Sequence, residues 1–214
     1  MTAATIVDPA LVTPDGKLRA LLRNPSGLVG VILLAIPVVL ILLNIFGLTP
    51  YDAAKQNPQV RMQGPSWDHW FGTDQFGRDI FSRVAGGVAN SALIAVAAVA
   101  IATVVGGFAG LVAGFYRGLS DSVIGGITNV IFAFPPLLLA LTMASVLDRS
   151  RFTVAVSIAV VYVPIFARVV RGPVLTLREI EFVTAATATG QRRVAVMLRH
   201  VLPNVVPILI VQVS

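Results

Sequence analysis

Residues 91–115 read SALIAVAAVAIATVVGGFAGLVAGF and decide the fold class, because 25 consecutive positions carry no charge. A helix needs about 20 apolar residues to cross the hydrocarbon core of a bilayer, so this stretch predicts a transmembrane helix. Three further apolar runs of similar length begin at Leu28, Val123 and Phe152. We therefore expect an all-α protein that crosses the membrane several times.

The composition of the whole chain also indicates a membrane protein. Of its 214 residues, 56% are hydrophobic and 12% are charged, about half the charged fraction of roughly 25% in soluble domains. The net charge of +6 comes from loops between apolar runs, where basic residues orient a membrane protein and do not suggest a nucleic-acid site. The absence of cysteine excludes disulfides and thiolate chemistry, and two histidines far apart, His69 and His200, do not suggest a metal site.

The apolar runs divide the chain into four parts. Residues 1–27 are a polar N-terminal segment, residues 28–48 are the first transmembrane helix, residues 49–87 are a long polar loop, and residues 88–214 hold the remaining spans. The segments on the N-terminal side of the membrane carry ten basic residues and those on the other side carry six. Because cytoplasmic loops are enriched in Lys and Arg, we expect the N-terminus and residues 171–200 in the cytoplasm, with residues 49–87 outside.

Two features inside the spans are candidates for helix contacts or for a transport path. Gly106, Gly110 and Gly114 recur every four positions, which allows a close approach either of another helix of this chain or of a second subunit. Asn129 lies six residues before Pro135, and a polar residue near a helix break either bonds to a neighbouring helix or lines a translocation path. The residues of this possible path are Asn129, Phe134, Pro135 and Pro136.

The polar segment 179–204 predicts two short helices. Residues 179–189 are rich in alanine and begin with acids, which suits the positive end of a helix dipole, and Gly190 is typical of a C-terminal cap. A basic helix over 192–200 then leads to Pro203 at the start of the last apolar run. Such a segment is either an ordinary charged loop or an element on which a cytoplasmic partner docks, with the small side chains of Ala185, Ala186 and Ala188 leaving room for its groove.

This segment resembles the EAA loop of binding-protein-dependent ABC importer permeases. The matching positions are Ala185, Ala186, Gly190, Leu202 and Pro203. Thr184 stands where the general pattern has Glu, and Glu181 matches a Glu found in the peptide-transporting branch. The resemblance implies a coupling helix that inserts into a cleft of an ATPase subunit.

Residues 71–83, FGTDQFGRDIFSR, are similar to the extracytoplasmic motif of the C-type permease of dipeptide, oligopeptide and nickel importers. Residues 22–25 also resemble the start of those subunits. The motif positions are Gly72, Thr73, Asp74, Gly77, Arg78 and Asp79. The resemblance implies a MetI-like permease fold with six spans.

The chemistry of this motif can also be read directly. Asp74, Arg78, Asp79 and Arg83 alternate in sign, and Gly72 and Gly77 permit sharp turns. The segment is therefore a charge-paired cap before the second span, a metal site built on the two carboxylates, or a contact for a substrate-binding protein. We expect the arginines to satisfy both carboxylates.

The function expected from the resemblance is the transmembrane subunit of an ATP-driven importer for peptides. Its implied partners are a B-type permease subunit, two ABC ATPase subunits, an extracytoplasmic solute-binding protein and the lipid bilayer of a bacterial inner membrane. Neither lysine, Lys17 or Lys55, follows the Gly-rich loop of a P-loop motif, so we expect ATP to be bound by the partners, no cofactor in this chain, and no enzymatic activity of its own. The alternatives are nickel import by the same family, a secondary transporter or channel, and a membrane scaffold.

The last apolar run covers only residues 201–214. Fourteen residues make about 21 Å of helix, which is too short to span a bilayer alone. Since the family continues through a sixth span, we expect a truncated permease with four full spans and part of a fifth.

Overall fold

The computed structural model of the protein describes residues 24–148 and 150–213, and the regular elements of this part are helical apart from one isolated antiparallel bridge between Thr73 and Asp79. The helices are α1 Pro25–Ile45, α2 Ile80–Tyr116, α3 Gly118–Phe132, α4 Pro136–Val146, α5 Arg151–Leu177, α6 Glu181–Ala188 and α7 Arg193–Val213. The basic residues predicted to orient the N-terminus, and the first half of the match at 22–25, lie outside the described residues.

Four of these helices, α1, α2, α5 and α7, are long and apolar enough to cross a membrane. Helices α3 and α4 meet the same criteria together, as a pair bent by 89°. The prediction of an all-α protein with several spans is therefore confirmed.

Side-chain caps set the starts of α1 and α5. The side chain of Asn24 accepts a hydrogen bond from the backbone N–H of Ser26 at 3.2 Å, with Pro25 in the first turn. The hydroxyl of Ser150 accepts one from the N–H of Thr153 at 3.1 Å. These caps satisfy backbone donors that the first helical turn leaves free, and they place α1 three residues before the predicted range 28–48.

Helix α2 begins inside the segment predicted to be a loop. The loop prediction ran to residue 87, but the helix starts at Ile80 and continues for 37 residues, about 55 Å at 1.5 Å per residue. Polar residues in its first turns do not interrupt it, because Asp79 caps it through the backbone N–H of Ser82 at 2.8 Å.

The basic helix predicted over 192–200 is not a separate element. It forms the first half of α7, and a π-helical turn at Met197–Val201 joins it to the apolar part. Pro203 lies inside α7 and does not mark its start. The helix therefore has 21 residues, so the 14-residue apolar run is not the whole of the last span.

The chain forms two compact units, one ending at Ser91 and the other beginning at Ala92. In the second unit, α5 packs against the glycine face of α2. A Cβ at Gly106 would lie 2.5 Å from the carbonyl oxygen of Val163, and one at Gly114 would lie 2.8 Å from Cβ of Val174. Of the two alternatives for this stripe, the structure shows packing within the chain.

Helices α3 and α4 connect the two ends of α5, which is the arrangement expected of one broken span. Asp121, at the start of α3, pairs with Arg171 near the end of α5, whereas α4 leads back to the first residue of α5, Arg151. Twenty residues separate Arg151 from Arg171, about 30 Å of helix, which is the thickness of the hydrocarbon core. The predicted discontinuity at Phe134–Pro136 is thus confirmed, and the span predicted to begin at Val123 consists of two helices.

Candidate functional site

The short helix α6 and its flanks form the first candidate site, in the second unit. Its inner face is buried, with Val183 at 2% and Ala186 at 8% exposure, and packs on a cluster that includes Val174 of α5 and Val201 of α7. Glu181 and Ala185 are exposed. The prediction that Ala186 leaves room for a partner is wrong in this respect, because its small side chain serves packing within the chain.

Gly190 ends α6 as predicted. It has a positive φ of 81°, and its N–H bonds to the carbonyl of Thr187 at 3.1 Å while the N–H of Gln191 bonds to the carbonyl of Ala186 at 3.3 Å. This pair of hydrogen bonds is the Schellman motif, in which glycine relieves the strain of the left-handed residue. The chain therefore reverses at a fixed position between α6 and α7.

Two contacts hold the segment between α5 and α6 against the end of α2. Nη1 of Arg178 donates to the carbonyl of Phe115 at 2.7 Å, and Nη1 of Arg117 lies 3.3 Å from Oε1 of Glu179. These contacts bring the turn after α2 and the segment after α5 together. Both therefore lie on the same side of the membrane, as the sequence predicted.

The other positions of this segment have different surroundings. Leu202 is half-buried against the same cluster, and Pro203 is exposed within α7. The hydroxyl of Thr184, where the family pattern has Glu, donates to the backbone carbonyl of Glu181 at 2.9 Å. The exposed surface of this segment also carries Phe182 and a basic set on α7 and the turn before it: Arg192, Arg193 and Arg199.

The second candidate site is the loop before α2, in the first unit. Thr73 and Asp79 form an antiparallel bridge around a turn in which the N–H of Gly77 bonds to the carbonyl of Asp74 at 2.9 Å. Gly72 and Gly77 both have positive φ, and a Cβ on Gly77 would collide with the carbonyl oxygen of Asn57. The predicted sharp turns are thus present, and at Gly77 close approach of the backbone also requires glycine.

The Asp74 carboxylate organises this turn. It accepts hydrogen bonds from the N–H groups of Phe76 and Arg78 at 2.8 and 3.0 Å and from Nε of Arg78 at 2.7 Å, with Nε of Arg83 at 3.7 Å. Burial raises the pKa of Asp74, but the hydrogen bonds from Arg78 and Phe76 outweigh it and hold the pKa below its usual value. The carboxylate therefore stays ionised and fixes the turn.

Asp79 does not pair with an arginine, contrary to the prediction. The residue is buried, with 3% of its surface exposed. Its carboxylate accepts hydrogen bonds from Nδ1 of His69 at 3.0 Å and from the backbone N–H of Ser82 at 2.8 Å. Burial raises the pKa of Asp79, but the hydrogen bonds from Ser82 and His69 lower it by more than burial raises it. The pKa therefore lies below its usual value. Among residues 24–148 and 150–213, no three potential His, Cys, Asp or Glu ligands come together as a metal site.

The four residues predicted to line a translocation path lie at or near the break between α3 and α4. Asn129, Phe134, Pro135 and Pro136 are all exposed in the chain. α3 ends at Phe132, and Pro136 starts α4. Proline cannot supply the N–H that a continuous helix needs at these positions. The side chain of Asn129 makes no hydrogen bond within the described part of the chain.

Sequence reasoning missed three polar partnerships. His69 stacks its ring 4.6 Å from that of Tyr51 and bonds to Asp79, and only the capping spacing from Asp79 to Ser82 signalled part of this cluster. Asp121 and Arg171 form a two-pronged ion pair, with Nε–Oδ1 at 2.5 Å and Nη2–Oδ2 at 2.7 Å. Fifty residues separate the two, and no local pattern connects them.

Residues 106–214 match the protein family described as binding-protein-dependent transport system inner membrane component. The chain is 41% identical over 198 residues to the dipeptide transport system permease protein DppC of Alkalihalophilus pseudofirmus, covering 92% of this chain and 64% of that protein.

Two further relatives are glutathione transport system permease proteins GsiD. That of Pectobacterium atrosepticum is 37% identical over 77% of this chain and 55% of its own length, and that of Escherichia coli O157:H7 is 40% identical over 81% and 58%. The chain thus spans between 55% and 64% of the length of these three relatives.

Proposed function

Because the chain belongs to the family of binding-protein-dependent transport system inner membrane components, we propose that it is a membrane-spanning subunit of an ATP-driven importer of small peptides. Similarity to permeases named for dipeptide and glutathione transport supports peptides as the cargo in preference to nickel. The subunit lies in the bacterial inner membrane with its N-terminus and α6 in the cytoplasm.

The observation that carries the coupling role is the way α6 joins the spans. Its exposed face is available to a partner, while Val183 and Ala186 pack directly on α5 and α7. A push on α6 is therefore transmitted to two spans at once, since closely packed interiors transmit displacement and do not absorb it. Closure of two ATPase subunits would in this way shift the spans between outward-facing and inward-facing states.

The remaining parts of the transporter are separate proteins in this proposal. ATP binds to the ATPase subunits, and this chain carries neither cofactor nor catalytic residue. A B-type permease completes the path, of which Asn129 and the break at Phe134–Pro136 form one wall. A solute-binding protein delivers the peptide to the outside, where the turn at Gly72–Asp79 lies.

Cross-linking tests the contact between α6 and an ATPase subunit. The chain has no cysteine, so Ala185→Cys introduces a single thiol on the exposed face of α6. We expect a short cross-linker that carries a maleimide and an amine-reactive ester to join this thiol to a lysine amine of an ATPase subunit in the assembled transporter, with a yield that changes when ATP is added. Asp148→Cys, on the exposed turn before α5, is the matched control and should give no such product.

A bulky substitution tests whether the contact drives transport. Ala185→Trp should lower peptide uptake and ATPase association together, about tenfold or more, because a hot-spot contact typically contributes 2 kcal/mol or more. Leu119→Trp, at an exposed position in the first turn of α3, is the control for a bulky residue on the same membrane side. Unchanged uptake and association in Ala185→Trp would show that α6 is not the coupling element.

A further inference from the structure

A cavity of about 500 Å³ lies between α3 and α5 in the second unit, within the size range of small-molecule sites. Its polar lining includes Asn129, Arg168 and the pair Asp121–Arg171, and its floor includes Gly125 and Gly126. A Cβ on either glycine would have nothing within 4 Å. Because these two positions of α3 are glycines and carry no side chain, the space beside them stays open.

Arg168 lies within the span formed by α5, and its surface is exposed beside the cavity. With the hydrocarbon core between Arg151 and Arg171, the backbone of Arg168 lies three residues, or about 4.5 Å along the axis, inside the core boundary. Its side chain extends further into the span, because Cζ lies 4.4 Å from the ring centre of Phe132, at the end of α3 farthest from the Asp121–Arg171 pair.

The charges lining the cavity do not balance. Asp121 is neutralised by the two hydrogen bonds from Arg171. Arg168 forms a cation–π contact with Phe132, but within residues 24–148 and 150–213 no carboxylate lies within ion-pair distance of it. A guanidinium at membrane depth without a counter-charge is costly, so this cavity favours an anionic group.

We propose that Arg168, with the Asn129 side-chain amide on the opposite wall, binds the carboxylate of a peptide on its way through the membrane. This inference rests on the proposed function. Arg presents paired N–H donors that match the two oxygens of a carboxylate, and the Asn amide supplies a further donor. A carboxylate at the C-terminus is common to all free peptides, so such a site accepts cargo regardless of side chains.

The test uses the complete transporter in proteoliposomes with saturating binding protein. ATP-driven uptake is measured for dialanine and for dialanine amide, which lacks the carboxylate. Arg168→Gln should lower dialanine uptake about tenfold, which corresponds to the loss of one charge-assisted hydrogen bond. We expect uptake of dialanine amide to be slower in the unaltered transporter and to change by less than about twofold in Arg168→Gln. Arg168→Lys should retain more uptake than Arg168→Gln, and Arg151→Gln, the same change at the start of α5, should leave both peptides unaffected.

Other outcomes overturn the proposal. Equal losses for both peptides in Arg168→Gln would show that Arg168 has a structural role or pairs with a carboxylate of the partner permease. An effect seen in vesicles with phosphatidylglycerol but not in phosphatidylcholine alone would assign the site to a lipid phosphate. Asn129→Leu gives a second test from α3, and it should also reduce dialanine uptake selectively. Absence of uptake of either peptide by the unaltered transporter would instead overturn the proposed function itself.

Discussion

Single glycines set how closely α2 and α5 approach each other. At Gly110 a Cβ would press on the carbonyl oxygen of Ala167 and lie 2.9 Å from Cβ of Val170. The first of these neighbours is backbone and the second is fully buried, so neither side can move away without shifting a helix. Small residues at such positions supply the close packing that holds membrane helices together where no hydrophobic effect acts between them.

We predict that Gly110→Ala destabilises the protein although alanine is the better helix former. Overpacking of a tight contact typically costs about 1–3 kcal/mol, which exceeds the gain of about 1 kcal/mol in helix propensity. Thermal unfolding in detergent measures the change. Gly172→Ala is the matched control, because a Cβ there has nothing within 4 Å, and it should leave the midpoint unchanged or raise it. A higher midpoint for Gly110→Ala would contradict the packing.

We predict that Asp79 stabilises the loop before α2 in a pH-dependent way. Asp79→Ala removes the acceptor for His69 and Ser82, at a cost of about 1–3 kcal/mol for the buried donors. Since the pKa of Asp79 in the folded protein lies below its ordinary value of 3.8, its contribution is complete above that value. The stabilisation by Asp79 decreases as the pH falls below 3.8, and it is lost once the pH is below the lowered pKa of the folded state.

Unfolding of the two proteins between pH 7 and pH 3 checks this prediction. The difference in stability between the unaltered protein and Asp79→Ala should be constant above about pH 5 and shrink toward pH 3, because protonation then neutralises Asp79 in the unaltered protein and has no counterpart in Asp79→Ala. Asp68→Ala, an exposed carboxylate in the same loop, should show neither effect. A difference that grows on acidification would be inconsistent with a lowered pKa.

At the scale of the helices, the apolar core of each span was predictable and its ends were not. Pro135 and Pro136 correctly indicated the break, because proline interrupts the hydrogen-bond ladder locally. The start of α2 at Ile80 was missed, since a polar first turn resembles loop sequence. For α7, the helix over 192–200 was predicted, but its continuation into the last apolar run was missed. What extends these helices is a cap at Asp79 in one case, and in the other burial of Val196 and Val201 against α6.

The same distinction applies to the candidate sites. The turns at Gly190, Gly72 and Gly77 were predictable because a backbone position with positive φ strongly favours glycine. The inward orientation of Ala186 was not, because an eight-residue helix with several alanines has no clear apolar face. Nor could sequence spacing pair Asp121 with Arg171, whose contact depends on how two spans pack.

We predict that the right-angle break between α3 and α4 persists in the membrane. Spin labels at Leu119→Cys and Val146→Cys, both exposed at about four fifths of their surface, would be about 40 Å apart along a straight helix but about 29 Å apart across a 90° bend. Double electron–electron resonance measures this distance. Pro135→Ala combined with Pro136→Ala should shift it toward the longer value, and a long distance in the doubly labelled protein with both prolines would refute the bend.

For the whole molecule, the number of times the chain crosses the bilayer determines which turns lie on the same face of the membrane. The ion pair Arg117–Glu179 and the pair Asp121–Arg171 join the ends of α2, α3 and α5 at one level. This is possible only when α3 and α4 carry the chain across and α5 carries it back. The same crossing puts the break, and with it Asn129 and Phe134, between the two faces of the membrane.

We therefore predict that the turns alternate between the two faces of the membrane. In right-side-out vesicles, a membrane-impermeant maleimide should label Asp148→Cys, whereas Leu119→Cys and Ala185→Cys should be labelled only after permeabilisation. The parent chain has no cysteine and is the blank. Labelling of both Leu119→Cys and Asp148→Cys from the same face would make α3–α4 a re-entrant loop. Labelling of Ala185→Cys from the outside would reverse the orientation and remove α6 from the reach of a cytoplasmic ATPase.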